Sequence, residues 1–181
     1  MMHDDIERVL FTQEELREKV AAMGKKISED YQNTSEDVFC VGILKGAVVF
    51  YTDLVRSISL PVQFDFMIAS SYGNKTSTSG SVKLLKDLDY DVEGKHLIII
   101  EDIIDSGTTM QYLMRILRER RPKSIKLCAL LSKPSRRTAD VHIDYLGAEV
   151  PDEFLVGYGL DYAGTYRNLP YIGILKPAVY A

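Results

Sequence analysis

An α/β fold with a mainly parallel central sheet is what this sequence predicts, on three observations. Short β-branched apolar runs alternate along the chain with segments of helical periodicity. The runs VFCVGIL (38–44), LIII (97–100) and SIKLCALLS (124–132) are as apolar as strands covered on both faces need to be. Unusual polar pieces fall where these runs end: Lys45-Gly46 after GIL, Glu101 and Asp102 after LIII, and Lys133 after ALLS. Ligands of such sheets bind outside the carboxyl ends of the strands, so these pieces mark one place.

Taken in order, the elements follow from local chemistry. Thr12 with Glu15 fits a capping box, and Leu16, Val20, Met23 and Ile27 then form one apolar helical face. VFCVGIL is a buried strand, and GAVVFYTDLVRSI (46–58) reads as the helix after it. PVQFDFMIAS (61–70) alternates as a strand does. SYGNKTSTSGS (71–81) has almost no apolar residue and reads as a mobile loop, with VKLLKDL (82–88) as the strand returning from it. KHLIIIED (95–102) carries the strongest strand pattern. From Thr108 the period changes to helical, with Met110, Leu113, Met114 and Leu117 on one face and Pro122 as the stop. SIKLCALLS is another buried strand, and a short one is expected near YIGILK (171–176) in the Tyr- and Gly-rich last third.

The bulk numbers narrow the function. With 181 residues, 46% apolar and 27% charged, the chain has the composition of one soluble domain, 1–181. Its 22 basic and 26 acidic residues give a net charge of −4, which argues against a protein held on nucleic acid by bulk charge. MMHDDIERVL lacks the apolar core of an export signal, and no apolar run is long enough to cross a bilayer. Cys40 and Cys128 are isolated and suggest neither a disulfide nor a zinc site. A cytoplasmic protein without a membrane or nucleic-acid partner is expected.

The most informative stretch is LIIIEDIIDSGTT (97–109). Ser106, Gly107, Thr108 and Thr109 open a helix, where unpaired N–H groups and a partial positive charge favour an anion. Gly107 allows a tight turn and close backbone approach, and the hydroxyls add donors. A phosphate monoester is the natural guest. The loop lacks the Gly-Lys-Ser/Thr of a Walker A motif and is not GxGxxG. Glu101 and Asp102 can accept hydrogen bonds from a sugar diol or bind Mg²⁺ through water or substrate oxygens. Acids beside a phosphate repel it by roughly 3 kcal/mol at ~5 Å and an effective dielectric of 20, so a sugar or a cation has to lie between them. A ribose 5-phosphate satisfies both halves. Capping and turn chemistry alone would account for DSGT, but not for the whole thirteen-residue arrangement.

IIIEDIIDSGTT (98–109) resembles the phosphoribosyl pyrophosphate (PRPP) signature of type I phosphoribosyltransferases. GILKGAVVF (42–50), SSYGNKTSTSG (70–80), VKLLKDLD (82–89), LLSKPSRR (130–137) and PDEFLVGYGLDYAGTYRNLPYIGIL (151–175) extend the likeness to the bacterial hypoxanthine-guanine branch of that family. The resemblance implies a type I phosphoribosyltransferase fold, with a small hood subdomain built from the N-terminal segment and about 150–181. It implies purine salvage: hypoxanthine or guanine plus PRPP gives IMP or GMP and pyrophosphate, with Mg²⁺ as cofactor, in a homodimer or homotetramer.

Site roles also come from the resemblance. Glu101 and Asp102 would hold the ribose hydroxyls and Mg²⁺, and Asp105 would act as general acid/base at purine N7. Ser106, Gly107, Thr108 and Thr109 would hold the 5-phosphate, and Lys45, Gly46 and Arg167 the pyrophosphate, with a Leu44–Lys45 bond that can be cis in this family. Lys133 would donate to the 6-oxo group, Phe154 would stack on the purine and Leu155 would read its edge through the backbone. Asp161, beside the purine, would ligate a second Mg²⁺. Loop 71–81 would close over the site, with Ser71 and Tyr72 reaching the substrate and Gly73 and Gly80 giving it freedom. A xanthine-preferring transferase is the alternative within the class. A PRPP-sensing RNA-binding regulator, with RILRERRPK (115–123) as its basic surface, is the alternative outside it.

Overall fold

The computed structural model describes residues 2–72 and 81–180, with Ser71, Tyr72 and Ser81 described by their backbone only. Helix α1 (Gln13–Tyr31) starts at the expected capping box: Glu15 N–H donates to Thr12 Oγ1 at 3.3 Å and Thr12 N–H donates to Glu15 Oε2 at 2.8 Å. Leu16, Val20, Met23 and Ile27 are all buried. Strand β2 (Val38–Leu44) leads to helix α2 (Val48–Ser57), two residues shorter at its start than the pattern suggests. Those residues are taken by the turn in which Val48 N–H donates to Lys45 O at 3.2 Å. Strands β3 (Gln63–Tyr72) and β4 (Ser81–Lys86) form an antiparallel hairpin. Loop 73–80, with Gly73 and Gly80, and the Ser71 and Tyr72 side chains lie outside the described residues.

Strand β5 (His96–Ile104) includes Glu101 and Asp102, as the pattern over 95–102 predicts, and runs two residues further. The two acids therefore stand on the strand. Alternation sends Ile98 and Ile100 to the core under α1 and α2, and Leu97 and Ile99 to the core under the helix that follows. Beyond the acids the phase reverses, with Ile103 on the first side and Ile104 on the second. The slip coincides with two local hydrogen bonds. Asp102 N–H donates to Glu101 Oε1 at 3.1 Å and Ile103 N–H to Asp102 Oδ1 at 2.7 Å.

Helix α3 (Thr108–Arg118) buries Met110, Leu113, Met114 and Leu117 and ends four residues before Pro122. Strand β6 (Ser124–Ser132) has the expected bounds. Strand β1 (Ile6–Phe11), strand β7 (Tyr145–Glu149) and strand β8 (Leu155–Val156) have no counterpart in the sequence pattern, being short, partly exposed or dependent on distant partners. Strand β9 (Ile172–Leu175) and a last turn α4 (Pro177–Tyr180) complete the chain.

The main sheet runs β4-β3-β2-β5-β6-β7, parallel throughout except for the β3–β4 edge pair. A second, antiparallel sheet runs β1-β9-β8 and joins the two ends of the sequence. Cys40 and Cys128 are buried and free, and burial pushes the Cys40 thiol up to about 12. No helix among the described residues is long and apolar enough to cross a membrane.

Thr12→Ala removes one half of the capping box at the start of the longest helix. A loss of ~1 kcal/mol is expected, read as a fall of about 2–4 °C in Tm for a chain of this size.

Candidate active site at the carboxyl ends of the strands

The parallel order brings the ends of β2, β5 and β6 side by side, as the sequence pattern requires. Two cavities meet there. One, of ≈ 250 Å³, is lined by Gly46, Glu101, Asp102, Asp105, Ser106, Gly107 and Thr109 among others. The other, of ≈ 350 Å³, is lined by Gly46, Asp102, Asp105, Lys133, Phe154, Leu155, Asp161 and Arg167 among others. Gly46, Asp102, Ile103 and Asp105 belong to both, so they form the wall between the Ser106–Thr109 turn and a second pocket.

That turn connects β5 to α3. Gly107 caps α3 at φ 84°, a left-handed conformation that a side chain would strain. Ser106 Oγ accepts from Thr108 N–H at 3.3 Å and donates to Thr108 Oγ1 at 3.2 Å. Arg137 props the turn from below. Its guanidinium donates to Asp105 O at 3.3 Å, Ile104 O at 3.4 Å and Ser132 Oγ at 2.7 Å, and Thr138 and Ala139 N–H both donate to Ser106 O at 3.0 Å. Arg137 has no assignment in the sequence reading. The signal was the second Arg of LLSKPSRR, whose role depends on the fold bringing residue 137 back beneath residue 105.

Glu101 and Asp102 are adjacent carboxylates, Asp102 buried and Glu101 half-buried. Burial holds both above the usual carboxylate range, Glu101 well above, and Asp102's charge pushes Glu101 further. Gly46 faces Asp102 so closely that a Cβ at residue 46 would lie 1.8 Å from Asp102 Oδ2. Gly46 O in turn sits under Gly159, where a Cβ would lie 2.1 Å away. The peptide before Gly46, Leu44–Lys45, is cis. The Lys45 side chain is exposed and lines neither cavity, so any part it takes in the site comes from the backbone.

The second pocket gathers residues from the C-terminal third. Lys133 is only 7% exposed, against the expectation for a lone lysine at a strand end. Its ammonium donates to Glu153 O at 2.7 Å and lies 3.7 Å from Asp152 Oδ1. Phe154 presents its ring to the pocket, backed by Tyr180, stacked at 4.9 Å, and by Tyr162, edge-on at 5.3 Å. Leu155 is buried on β8, opposite Ile174. Asp161 Oδ2 accepts from Gly164 N–H at 2.8 Å and Oδ1 pairs with Arg167 at 2.7 Å, while Arg167 also donates to Gly159 O at 2.7 Å.

Two hard carboxylates that burial has raised, with no cation at ion-pair distance among the described residues, are a donor set that suits Mg²⁺ completed by substrate oxygens. Glu101, Asp102 and Asp161 do not converge as one three-ligand cluster; among the described residues none is formed. Asp161 lines the second pocket only.

A family model described as "Phosphoribosyl transferase domain" matches residues 10–163. The chain belongs to the phosphoribosyltransferase family. Within it, the chain is 55% identical over 180 residues to the hypoxanthine-guanine phosphoribosyltransferase of Bacillus subtilis, covering 99% of both. It is 51% identical to part of the bifunctional protein TilS/HprT of Listeria monocytogenes, covering 99% of this chain and 28% of that one. A crystal structure of a hypoxanthine phosphoribosyltransferase from Staphylococcus aureus superposes with a TM-score of 0.95 at 44% identity, over 99% of this chain and 97% of that one. The turn, the paired acids and the second pocket are thus carried on a phosphoribosyltransferase fold.

The burial of Glu101 has a stability cost with a definite sign. Its folded-state pKa is raised, so the folded chain binds the proton more tightly than the unfolded chain. Stability is therefore lost as pH rises from the unfolded pKa through the folded one. Glu101→Gln should raise Tm at neutral pH, with the gain vanishing below about pH 4, where the unfolded glutamate is itself protonated. Thermal melts at both pH values, without added metal, check this; an equal gain at both would assign the effect to packing.

Proposed function

We propose that this chain is a purine-salvage transferase that joins hypoxanthine or guanine to PRPP, giving the nucleoside 5′-monophosphate and pyrophosphate. The observation that carries the reading is the shared wall of Gly46, Asp102, Ile103 and Asp105 between an anion cradle and a pocket holding both a buried lysine and an aromatic ring. A ribose spanning that wall would place its 5-phosphate on one side and its C1 on the other.

The residues then divide the work. Backbone N–H groups and hydroxyls of Ser106 to Thr109 hold the 5-phosphate at the start of α3. Glu101 and Asp102 accept from the ribose hydroxyls, and Gly46 with Arg167 holds the pyrophosphate. Glu101 and Asp102 would hold one Mg²⁺ and Asp161 a second, each completed by substrate oxygens; the metal supplies charge neutralisation of the departing polyanion. Lys133 has three donors and spends one on Glu153 O, which leaves donors for the 6-oxo group of the base. Phe154 stacks on the ring and the Leu155 backbone reads its edge. As N9 attacks C1 with inversion, the base loses a proton, and Asp105 accepts it through N7. Exclusion of water matters, because water is the competing nucleophile at C1.

The same reading extends to a homodimer or homotetramer in the cytoplasm; Phe64 and Leu85, exposed large apolar side chains of the β3–β4 edge, support an assembly. The RNA-binding alternative is weakened by pairing of three of the five basic residues in 115–123 with acids. Arg120 pairs with Asp87 at 2.7 Å, Arg121 with Glu93 at 3.1 Å and Lys123 with Glu36.

Purified protein with PRPP, Mg²⁺ and each of hypoxanthine, guanine, xanthine and adenine should make nucleotide from the 6-oxo bases and little from adenine, because an ammonium donates and cannot accept. Efficient use of adenine would remove Lys133 from base selection. In the same assay Asp105→Asn should lower kcat by ~10²-fold or more with the KM for PRPP nearly unchanged, whereas an unaltered kcat would take Asp105 out of the proton transfer.

A further inference from the structure

The Asp105 side chain is about half exposed, yet its two oxygens are not equivalent. Oδ1 is buried and has no aligned hydrogen bond, while the accessible part of the carboxylate faces the cavities it lines. Arg136 Nε stands 2.9 Å from that Oδ1, an ion-pair contact without hydrogen-bond alignment. Such contacts at reacting groups often tighten only when the ligand is bound. A second nitrogen of the same guanidinium, Nη1, donates to Asp152 Oδ1 at 3.2 Å. Asp152 Oδ1 is also 3.7 Å from Lys133 Nζ. Four side chains of alternating charge thus run Asp105, Arg136, Asp152, Lys133 along one side of the second pocket.

We infer that Arg136 is a positioning residue for the transferase reaction: it grips Asp105 Oδ1 and so turns the other oxygen toward the incoming base, with Asp152 anchoring the guanidinium. The inference rests on the function proposed above. Its logic is that of any general base held by a third group, which fixes orientation and leaves one atom free to react. The other charged groups around these cavities do not do this. Arg137 donates to the Asp105 main-chain oxygen and not to its carboxylate. Arg167 is engaged by Asp161 and Gly159, and Lys133 by Glu153 O. Glu101, Asp102, Asp152 and Asp161 carry the same sign as Asp105. The fork geometry also matters. One guanidinium satisfies two carboxylates at once, which an ammonium at the end of a flexible stem does not reproduce.

The turn that carries Arg136 does not depend on its side chain. Pro134–Arg136 forms a single 3-10 turn closed by backbone bonds from Arg136 and Arg137 N–H to Lys133 and Pro134 O, and Arg137 ties it to β5. Arg136→Gln is therefore expected to fold with a near-wild-type Tm.

The test is a double-mutant cycle in the nucleotide-synthesis assay with saturating PRPP and Mg²⁺. Arg136→Gln should lower kcat by ~10-fold or more, the scale of a misplaced reacting group, with the KM for PRPP within about twofold, and Arg136→Lys should recover part of the loss. In the Asp105→Asn background the same Arg136→Gln change should cost nothing further, because its target no longer acts. Equal losses in both backgrounds would overturn the inference, as would an unchanged kcat in Arg136→Gln or a loss confined to PRPP KM. Failure of the wild-type protein to make nucleotide would instead sink the parent reading, and is seen before any variant is compared.

Discussion

The structure is organised around one costly contact: the Asp102 carboxylate pressed against Gly46 at the end of two neighbouring strands. Burying two adjacent acids opposes folding, since each loses hydration and the Asp102 charge further disfavours that of Glu101. The surrounding fold absorbs that cost through a core packed on both faces of the main sheet, from Leu16 and Ile27 on one side to Leu113 and Leu117 on the other. Gly46 is required because any side chain would collide with Asp102, and Gly159 is required because Gly46 O lies directly beneath it. Three segments distant in sequence meet where the Gly46 backbone approaches the Asp102 carboxylate on one side and Gly159 on the other.

That lock explains how the second sheet serves the first. Strands β1, β9 and β8 join the chain ends and carry Leu155 and the segment that follows it. Tyr158 donates to Asp53 Oδ2 at 2.6 Å, tying this segment to α2, while Arg167 and Asp161 close a short loop over Gly159. The second pocket is thus built from a layer joined to the sheet by these polar bonds and by Leu155, Tyr158, Leu160, Ile172 and Ile174, which share its core. The turn at Ser106–Thr109 is an integral strand-to-helix connection.

Charge at the site is arranged in opposition rather than in bulk. The net charge of −4 says nothing of it. Lys133 and Arg136 face Asp152 and Asp105, Arg167 faces Asp161, and Glu101 and Asp102 have no cation at ion-pair distance among the described residues. Unneutralised carboxylates beside an anion cradle have a use only if the ligand brings hydroxyls or a metal with it. In this family a sugar phosphate meets that requirement.

Much of this was legible in the residues themselves. Alternation and helical period located β2, β5, β6, α1 and α3, because each buries a continuous apolar face whatever its partner. The acids, the small-residue turn and Gly107 were legible for the same reason: their chemistry is local, and a left-handed turn or an unpaired N–H is set within a few residues. Strands β1, β7 and β8 were not legible, since they are held by partners far along the chain. The phase reversal of β5 at Glu101 and Asp102 was hidden too, because hydropathy over 95–102 marks the strand but not the slip within it. The burial of Lys133, the prop of Arg137 beneath Asp105, the grip of Arg136 and the stacking of Tyr180 on Phe154 all join residues many positions apart. Sequence determined which chemical groups were on hand; only tertiary contact decided which oxygen of Asp105 is held and which is free, since that depends on what the fold returns to its side.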